Sequence, residues 1–404
     1  MNKIGEIKNK NILFLQGPIG SFFRHLDLHF RTKGANTLRI TLNSSDWFFS
    51  NRDNTIPFKG RPQNWFKFIK SFLIVNKIDK IFLSGDCRFY QRIAIKASME
   101  LNIDIFVFEE GYIRPNFITM ERYGVNNFSK ISRDPNFYLE LDHYFIETKI
   151  PLSVHTSYKK MEFSAIIYYI ILFLFKFSYP HYVHYRESNA INEFFWGVRN
   201  IVRKGLFKIF EWNTLELLET TLSKKYYFVP LQTYNDFQLT KHSSYKNIEA
   251  FIMEVLESFE KYAPKDMFIV FKHHPVDRGR RSYRTFIKQY AKKLNIAKKV
   301  IIIHDLHLPT CLKNAKATIT INSTVGISSL YHGIPTITLG EALYNMKGLT
   351  AKEIKLDDFW INHPFPNNKL FIKFKNYLID QTQLNGSFYG LFPVEFNSEE
   401  MFKK

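Results

Sequence analysis

Cysteine is nearly absent: Cys87 and Cys311 are the two in 404 residues. Two cannot build a disulfide framework, and a reducing compartment is the simple reading. No D-x-D triplet occurs, so a metal held by paired aspartates is not indicated, and no Cys/His spacing suits zinc. Neither a metal nor another cofactor is therefore expected. No apolar run reaches the ~20 residues of a spanning helix. The N-terminal MNKIGEIKNKNILFLQG carries lysines but too short an apolar run for a secretory signal, so a cytoplasmic location is expected. Acidic residues are scarce, 37 against 56 basic, leaving a formal net charge of +19. The chain also lacks finger, RNP-type and basic-leucine patterns, so nucleic acid is not the expected partner of that charge.

What is present is a chain long enough for two domains with full cores, 45% hydrophobic and 17% aromatic. Its positive surplus favours an anionic membrane surface or phosphorylated substrates. SAIIYYIILFLF, residues 164–175, is uninterrupted apolar sequence. Two readings stand: a buried helix, or a helix lying in the lipid interface with Arg186, Arg199, Arg203, Lys204 and Lys208 meeting anionic headgroups.

Strand and helix patterns alternate twice. NILFLQ (11–16), NTLRITL (36–42), KIFLSGD (80–86) and IDIFVFEEG (103–111) form the first set of strands. YYFVPLQ (226–232), MFIVFKHHP (267–275), VIIIHD (300–305), ATITIN (317–322) and TITLG (336–340) form the second. Apolar strands separated by helical segments predict parallel sheets covered on both faces. The expected fold is α/β, with two Rossmann-like domains facing each other across a cleft. The boundaries are a domain at 1–150, a helical, aromatic-rich connection at 151–222, a second domain at 223–362, and a tail at 363–404 packing back on the first.

Ligands of open parallel sheets bind beyond the carboxyl ends of the strands. The first block places Gln16, Asp86, Arg88 and the pair Glu109-Glu110 at such ends, with Arg114 close behind. The second places Gln232, Asp236, Lys272, His274-Pro275 and Asn322-Ser323-Thr324 there. Ser323 or Thr324 can cap the helix that follows. With Lys272 and His274 at a neighbouring exit, a cation, an imidazole and a helix start could meet one phosphate. Asp236 is either a turn former or a carboxylate nucleophile or base. Successive residues of a strand point oppositely, so one of Glu109 and Glu110 can face a ligand while the other bonds structurally, for instance to Arg114. Two acids at one site suit glycosyl transfer, one attacking the anomeric centre and the other moving a proton.

FLQGPIGSFFRHL, NSSDWFF, SGDCRFYQRIAI, FEEGYIRPNFITMERYGVN, FVPLQTYNDFQL, FKHHPVDRG, ITINSTVGISSLYHGIPT and NGSFYG, in this order along the chain, resemble the capsule polysaccharide biosynthesis/export proteins of the KpsS/LipB type. The resemblance implies a GT-B-like fold with an acceptor-side first domain and a CMP-sugar-binding second one. It implies a retaining transferase moving 3-deoxy-D-manno-octulosonic acid (Kdo) from CMP-β-Kdo to (lyso)phosphatidylglycerol on the inner membrane. Implied partners are a transferase that extends the Kdo chain and the capsule ABC exporter. Two alternatives for this chain stay open beside it: a transferase that extends an existing Kdo chain, or a capsule export and assembly factor without catalysis. Asp236 matches the family's nucleophile after a Q-x-x-x-D stretch. His274-Pro275 and Ser323-Thr324 match the HP and serine motifs for CMP, with Gln232, Lys272 and Asn322 beside them. The family's E-D-G stretch reads here Glu109-Glu110-Gly111, which leaves both glutamates as candidates. Gln16, Asp86, Arg88 and Arg114 fall to the acceptor or to the Kdo carboxylate.

Overall fold

A computed structural model describes residues 3–144, 151–154, 157–184, 190–234, 239 and 243–403. The chain divides into two compact units, 1–130 with 149–193 and 377–404, and 131–148 with 194–376. The stretch expected as a separate connection, 151–222, is divided between them at 193/194. The tail from 363 is divided too, at 376/377.

The first unit is built on a seven-stranded sheet. Its strands are β1 (Asn11–Phe14), β2 (Asn36–Thr41), β3 (Thr55–Pro57), β4 (Lys80–Ser84), β5 (Asp104–Glu110), β6 (Phe117–Arg122) and, from the C-terminal end of the chain, Gln383–Asn385. Their spatial order is C-terminal strand, β6, β5, β4, β1, β2, β3. The central strands are apolar on both sides because both faces are covered. Alternate residues serve opposite cores. Leu13, Ile81, Leu83, Ile105 and Val107 meet Trp65, Ile69 and Leu73 of α3 (Trp65–Val75) and Ala94 and Ala97 of α4 (Phe89–Glu100). Phe14, Phe82, Phe106 and Phe108 meet α1 (Phe22–Thr32) and the C-terminal Phe396 and Met401. Phe14, Phe82 and Phe106 sit in direct cross-strand register, with rings 5.4 and 4.8 Å apart. The expected all-parallel sheet is corrected at one edge. β6 runs antiparallel to β5, and Gln383–Asn385 antiparallel to β6. The cause is local: Gly111 to Asn116 reverse the chain directly, with no crossover helix between β5 and β6.

Two further helices belong here. The short α2 (Ser44–Phe48) is capped by Asn43, whose side chain accepts from the Asp46 N–H. Ser44 and Ser45 of α2 donate to the Ile171 and Tyr168 carbonyls of α6 (Tyr158–Leu174). Thus the apolar 164–175 run is not a buried helix. Its inner side packs on α2, while Ile166, Ile170, Phe173 and Leu174 are exposed. No described helix is long and apolar enough to cross a membrane.

The second unit contains α5 (Pro135–Leu139), the 194–210 part of α7 (Ala190–Phe210), α8 (Thr214–Glu219) and a wholly parallel five-stranded sheet. Its strands are β7 (Tyr226–Pro230), β8 (Phe268–Lys272), β9 (Val300–Ile303), β10 (Ala317–Thr320) and β11 (Thr336–Thr338), in the order β11-β10-β7-β8-β9. Helix Ile248–Tyr262 buries Phe251, Ile252, Val255, Leu256 and Phe259 against one face. The α/β class and the two Rossmann-like domains therefore stand as the sequence implied.

Candidate active site

In the first unit the exits of β1, β4 and β5 carry the polar groups. Gln16 is buried just past β1. Its Nε2 donates to Asp46 at 3.1 and 3.0 Å, and its Oε1 accepts from Gln91 at 3.3 Å and from Arg88 at 3.5 Å. Asp46 is buried as well; burial raises its carboxyl pKa, against the opposing charge of Arg39. Burial in turn lowers the Arg39 guanidinium. Gln16, Gly17, Arg39, Asp46, Arg88 and Tyr168 line a small pocket. Asp46, Arg39, Gln91 and Tyr168 were missed as site residues. The one available signal was the cap-forming Asn-Ser-Ser-Asp after β2.

Gly85 turns the chain out of β4 with φ +71°, the left-handed region that suits glycine. A Cβ there would stand 3.5 Å from Arg88 Nε and 3.7 Å from Glu109 Oε2. The guanidinium and this carboxylate thus flank one backbone position. Glu109 is half-buried, and its Oε1 accepts from the Glu110 N–H at 3.1 Å. Burial pushes its carboxyl up to about 7, with Arg88 pulling the other way. Glu110 is exposed. The two acids of the motif therefore sit in different environments.

One expectation on this side needs correction, and a second residue is placed by the backbone. Arg114 pairs with neither glutamate; its Nε donates to the Gly111 carbonyl at 3.1 Å, because the turn after Gly111 folds back on itself. Asp86 is buried and accepts from the Val125 N–H at 2.8 Å, tethering the segment after β6. A third acid escaped the sequence reading. Glu121 on β6 accepts from the Tyr112 hydroxyl at 2.6 Å and from Ser129, and burial raises its carboxyl to about 7.

In the second unit, the exit of β8 reads Lys-His-His-Pro. Lys272 is buried, and its ammonium donates to the His304 carbonyl. Burial lowers its pKa. The last strand residue thus points into the protein, where its ammonium is engaged by a backbone carbonyl. His273 is also buried, and burial together with His304 holds its imidazole down near about 3. His274 turns outward to half-burial, and its Nδ1 accepts from the Val276 N–H at 3.2 Å. An accepting Nδ1 leaves the proton of the neutral ring on Nε2. Pro275 opens the single turn that follows.

Gln232 and Asn322 bond each other across β7 and β10, Nε2 to Oδ1 at 2.9 Å and Asn322 N–H to Oε1 at 3.3 Å. The two side chains brace each other at adjacent strand exits. Ser323 and Thr324 are half-buried at the start of Val325–Tyr331; Ser323 Oγ accepts from the Val325 N–H at 3.3 Å, whereas Thr324 caps nothing with its side chain. Asp236 lies outside the described residues, as does Arg186. Sequence reasoning also missed a buried pair beside this exit. Glu211 accepts from His304 Nδ1 at 2.6 Å and from its backbone N–H at 3.1 Å, and Arg278 pairs with Asp305.

Polar groups at strand exits in two α/β domains, one sheet mixed and one wholly parallel, define a chain of the Rossmann-like class. Within that class its membership is specific. A model described as "Capsule polysaccharide biosynthesis protein" matches residues 79–389, and the chain belongs to that family. It is 36% identical over 383 residues to the capsule polysaccharide export protein KpsS of Escherichia coli, covering 95% of this chain and 98% of that one. It is also 36% identical to the capsule polysaccharide modification protein LipB of Neisseria meningitidis serogroup B, over 94% and 92% of the two chains. Among solved structures, the β-Kdo 2,7 transferase KpsC of Thermosulfurimonas dismutans is similar over 91% of this chain and 89% of that one, with a TM-score of 0.40 and 14% identity.

Proposed function

We propose that this capsule-family protein is a retaining glycosyltransferase that moves Kdo from CMP-β-Kdo to (lyso)phosphatidylglycerol, starting the β-Kdo linker of a lipid-anchored capsule. The observation that carries the proposal is Glu109: a half-buried carboxyl at a strand exit, raised to about 7, with Arg88 as its neighbouring cation. Such a group can hold or release a proton near neutral pH, which is what activation of an acceptor hydroxyl requires. Glu110, which is exposed, is the weaker choice for the base.

Retention requires two inversions, hence a covalent intermediate on a carboxylate and a separate group for the proton. The family resemblance gives the first role to Asp236. CMP departs readily as a phosphate, so the proton transfer matters most when the acceptor attacks. His274, through Nε2–H, and the Ser323-Thr324 start of the following helix are the groups proposed for the CMP phosphate. Gln16 and Arg88 offer an amide and a guanidinium to the acceptor or to the Kdo carboxylate. The scheme proposes no metal.

The test combines purified protein, CMP-Kdo and fluorescent lyso-phosphatidylglycerol, with products read by mass spectrometry. One added Kdo is expected. Asp236→Ala should abolish it, and Glu109→Gln should lower the rate by a factor of about 10²–10⁴. Transfer to a Kdo-bearing lipid but not to the bare lipid would make the protein a chain extender. Full activity of Asp236→Ala would remove the double-displacement scheme.

A further inference from the structure

α7 turns its specific contacts inward and its apolar side chains outward. The inward row, Trp196, Asn200, Arg203 and Phe207, continued by Glu211, recurs at helical spacing. The Trp196 carbonyl lies so close to Gly279 that a Cβ there would approach it to 2.2 Å. Arg278 donates to Asn200 at 3.1 Å, and Arg203 donates to the Arg278 carbonyl at 2.9 Å. Phe207 stacks on His304 with ring centres 3.5 Å apart, and Glu211 bonds the same histidine at 2.6 Å. These contacts fix the rotation of the helix about its axis.

The opposite face therefore has to show Val198, Val202, Leu206 and Ile209, with Ile201 and Phe210 at its margins. All are exposed, Ile209 and Phe210 at 70%. This inverts the usual amphipathic helix, whose apolar stripe faces the core. Trp212, 76% exposed, extends the face at its C-terminal end. Arg199, Lys204 and Lys208 flank the stripe and are exposed, and no acidic residue occurs between 195 and 210. An apolar stripe with cationic margins complements an anionic lipid surface. A second copy of this +19 chain fits poorly, because a self-complementary contact would bring the cationic margins together. α6 repeats the pattern in the other unit, with Phe163, Ile166 and Ile170 exposed and Tyr168 bonded inward to Asn43 at 3.0 Å.

We propose that the outward face of α7 docks on an anionic lipid bilayer. The helix lies in the interface with Val202 and Ile209 at the headgroup–acyl boundary and Lys204 and Lys208 at the phosphates. The inference deepens the proposed transfer to a lipid acceptor and rests on it only for the choice of lipid.

The test is co-sedimentation of the full chain with phosphatidylcholine vesicles, with and without phosphatidylglycerol. Binding that depends on phosphatidylglycerol is expected, weakened about tenfold or more by Val202→Asp with Ile209→Asp. Lys204→Glu with Lys208→Glu should lose the preference for the anionic lipid. The substituted apolar side chains are more than half exposed, so melting temperature should not change, and both variants should still transfer Kdo to a short-chain lysolipid in free solution. Equal vesicle binding by wild type and Val202→Asp/Ile209→Asp would overturn the proposal. So would a wild-type dimer that fails to bind vesicles and that these substitutions dissociate. Vesicle binding without transfer to the soluble lysolipid would leave the docking face standing and overturn the transferase; transfer without vesicle binding would do the reverse.

Discussion

Glu109 shows how one position joins stability to chemistry. Its carboxyl is raised from 4.5 to about 7, chiefly by burial. The folded protein thus favours the protonated form, and the associated stability is fully present below pH 4.5 and lost as pH rises through about 7. Glu109→Gln removes that dependence. The variant should melt no lower than wild type at pH 4 and higher at pH 8, by about 1–3 kcal/mol in unfolding free energy. Thermal melts across that range would check it, and parallel curves for the two proteins would contradict a raised carboxyl. The same residue acting as base predicts kcat/KM rising as pH passes through about 7. That a paired acid lay at the exit of β5 was legible in FVFEEG. Which acid is held by the protein was not, because the answer depends on Arg88 and on the turn at Gly85, both just past the neighbouring strand β4. Arg39 and Asp46 were illegible for a similar reason: burial of two opposite charges is a property of the packed sheet, not of either residue's local sequence.

A strand exit has a polarity of its own. In Lys272-His273-His274, the first two side chains are buried and the third emerges, so three residues of similar chemistry divide between the interior and the strand exit. Lys272→Ala would strip the His304 carbonyl of its buried donor and should cost about 1–3 kcal/mol. His274→Ala removes an outward ring and one acceptor of a turn N–H, and should cost less than about 1 kcal/mol. CMP added to wild type should raise the melting temperature, by an amount that grows with the logarithm of its concentration. His274→Ala should lose most of that rise and Lys272→Ala should keep it. Denaturant unfolding gives the first comparison and thermal shift the second; the opposite pattern would return Lys272 to the phosphate. The parallel strands were readable because four or five consecutive apolar residues between helical patterns have few alternatives. β6 was not, since FITMER follows β5 through the six residues GYIRPN, which hold no two-residue hairpin signal, and carries a buried Glu121 next to its last position. The three-residue strand Gln383–Asn385 carries no periodic signal at all.

At the scale of the molecule, the chain passes between its two units at 130/131, 148/149, 193/194 and 376/377. Boundaries drawn in sequence order cannot express that, because composition changes along the chain while membership of a core depends on contacts remote in sequence. The last passage has the clearest energetic consequence. Residues 377–404 supply an edge strand paired to β6, and Leu384, Phe396 and Met401 to the core beneath Phe82 and Phe106. The Met401 carbonyl also accepts from the Ile4 N–H at 2.9 Å, tying the two ends of the described chain into the same unit. Loss of three fully buried apolar side chains costs several kcal/mol each when cavities are left behind, which together meets or exceeds the ~5–15 kcal/mol of a typical domain. A chain ending at Asn376 should therefore lose the cooperative folding of the first unit. The five-stranded sheet of the second unit takes no residue from 377–404, so its amides should remain protected. Hydrogen exchange resolved by peptide would separate the two: β1, β4 and β5 should exchange orders of magnitude faster in the truncated chain, with β7 and β8 little changed. Uniform loss of protection in both sheets would mean that the units fold as one cooperative body, and uniform retention would mean that the C-terminal segment only decorates a sheet already complete.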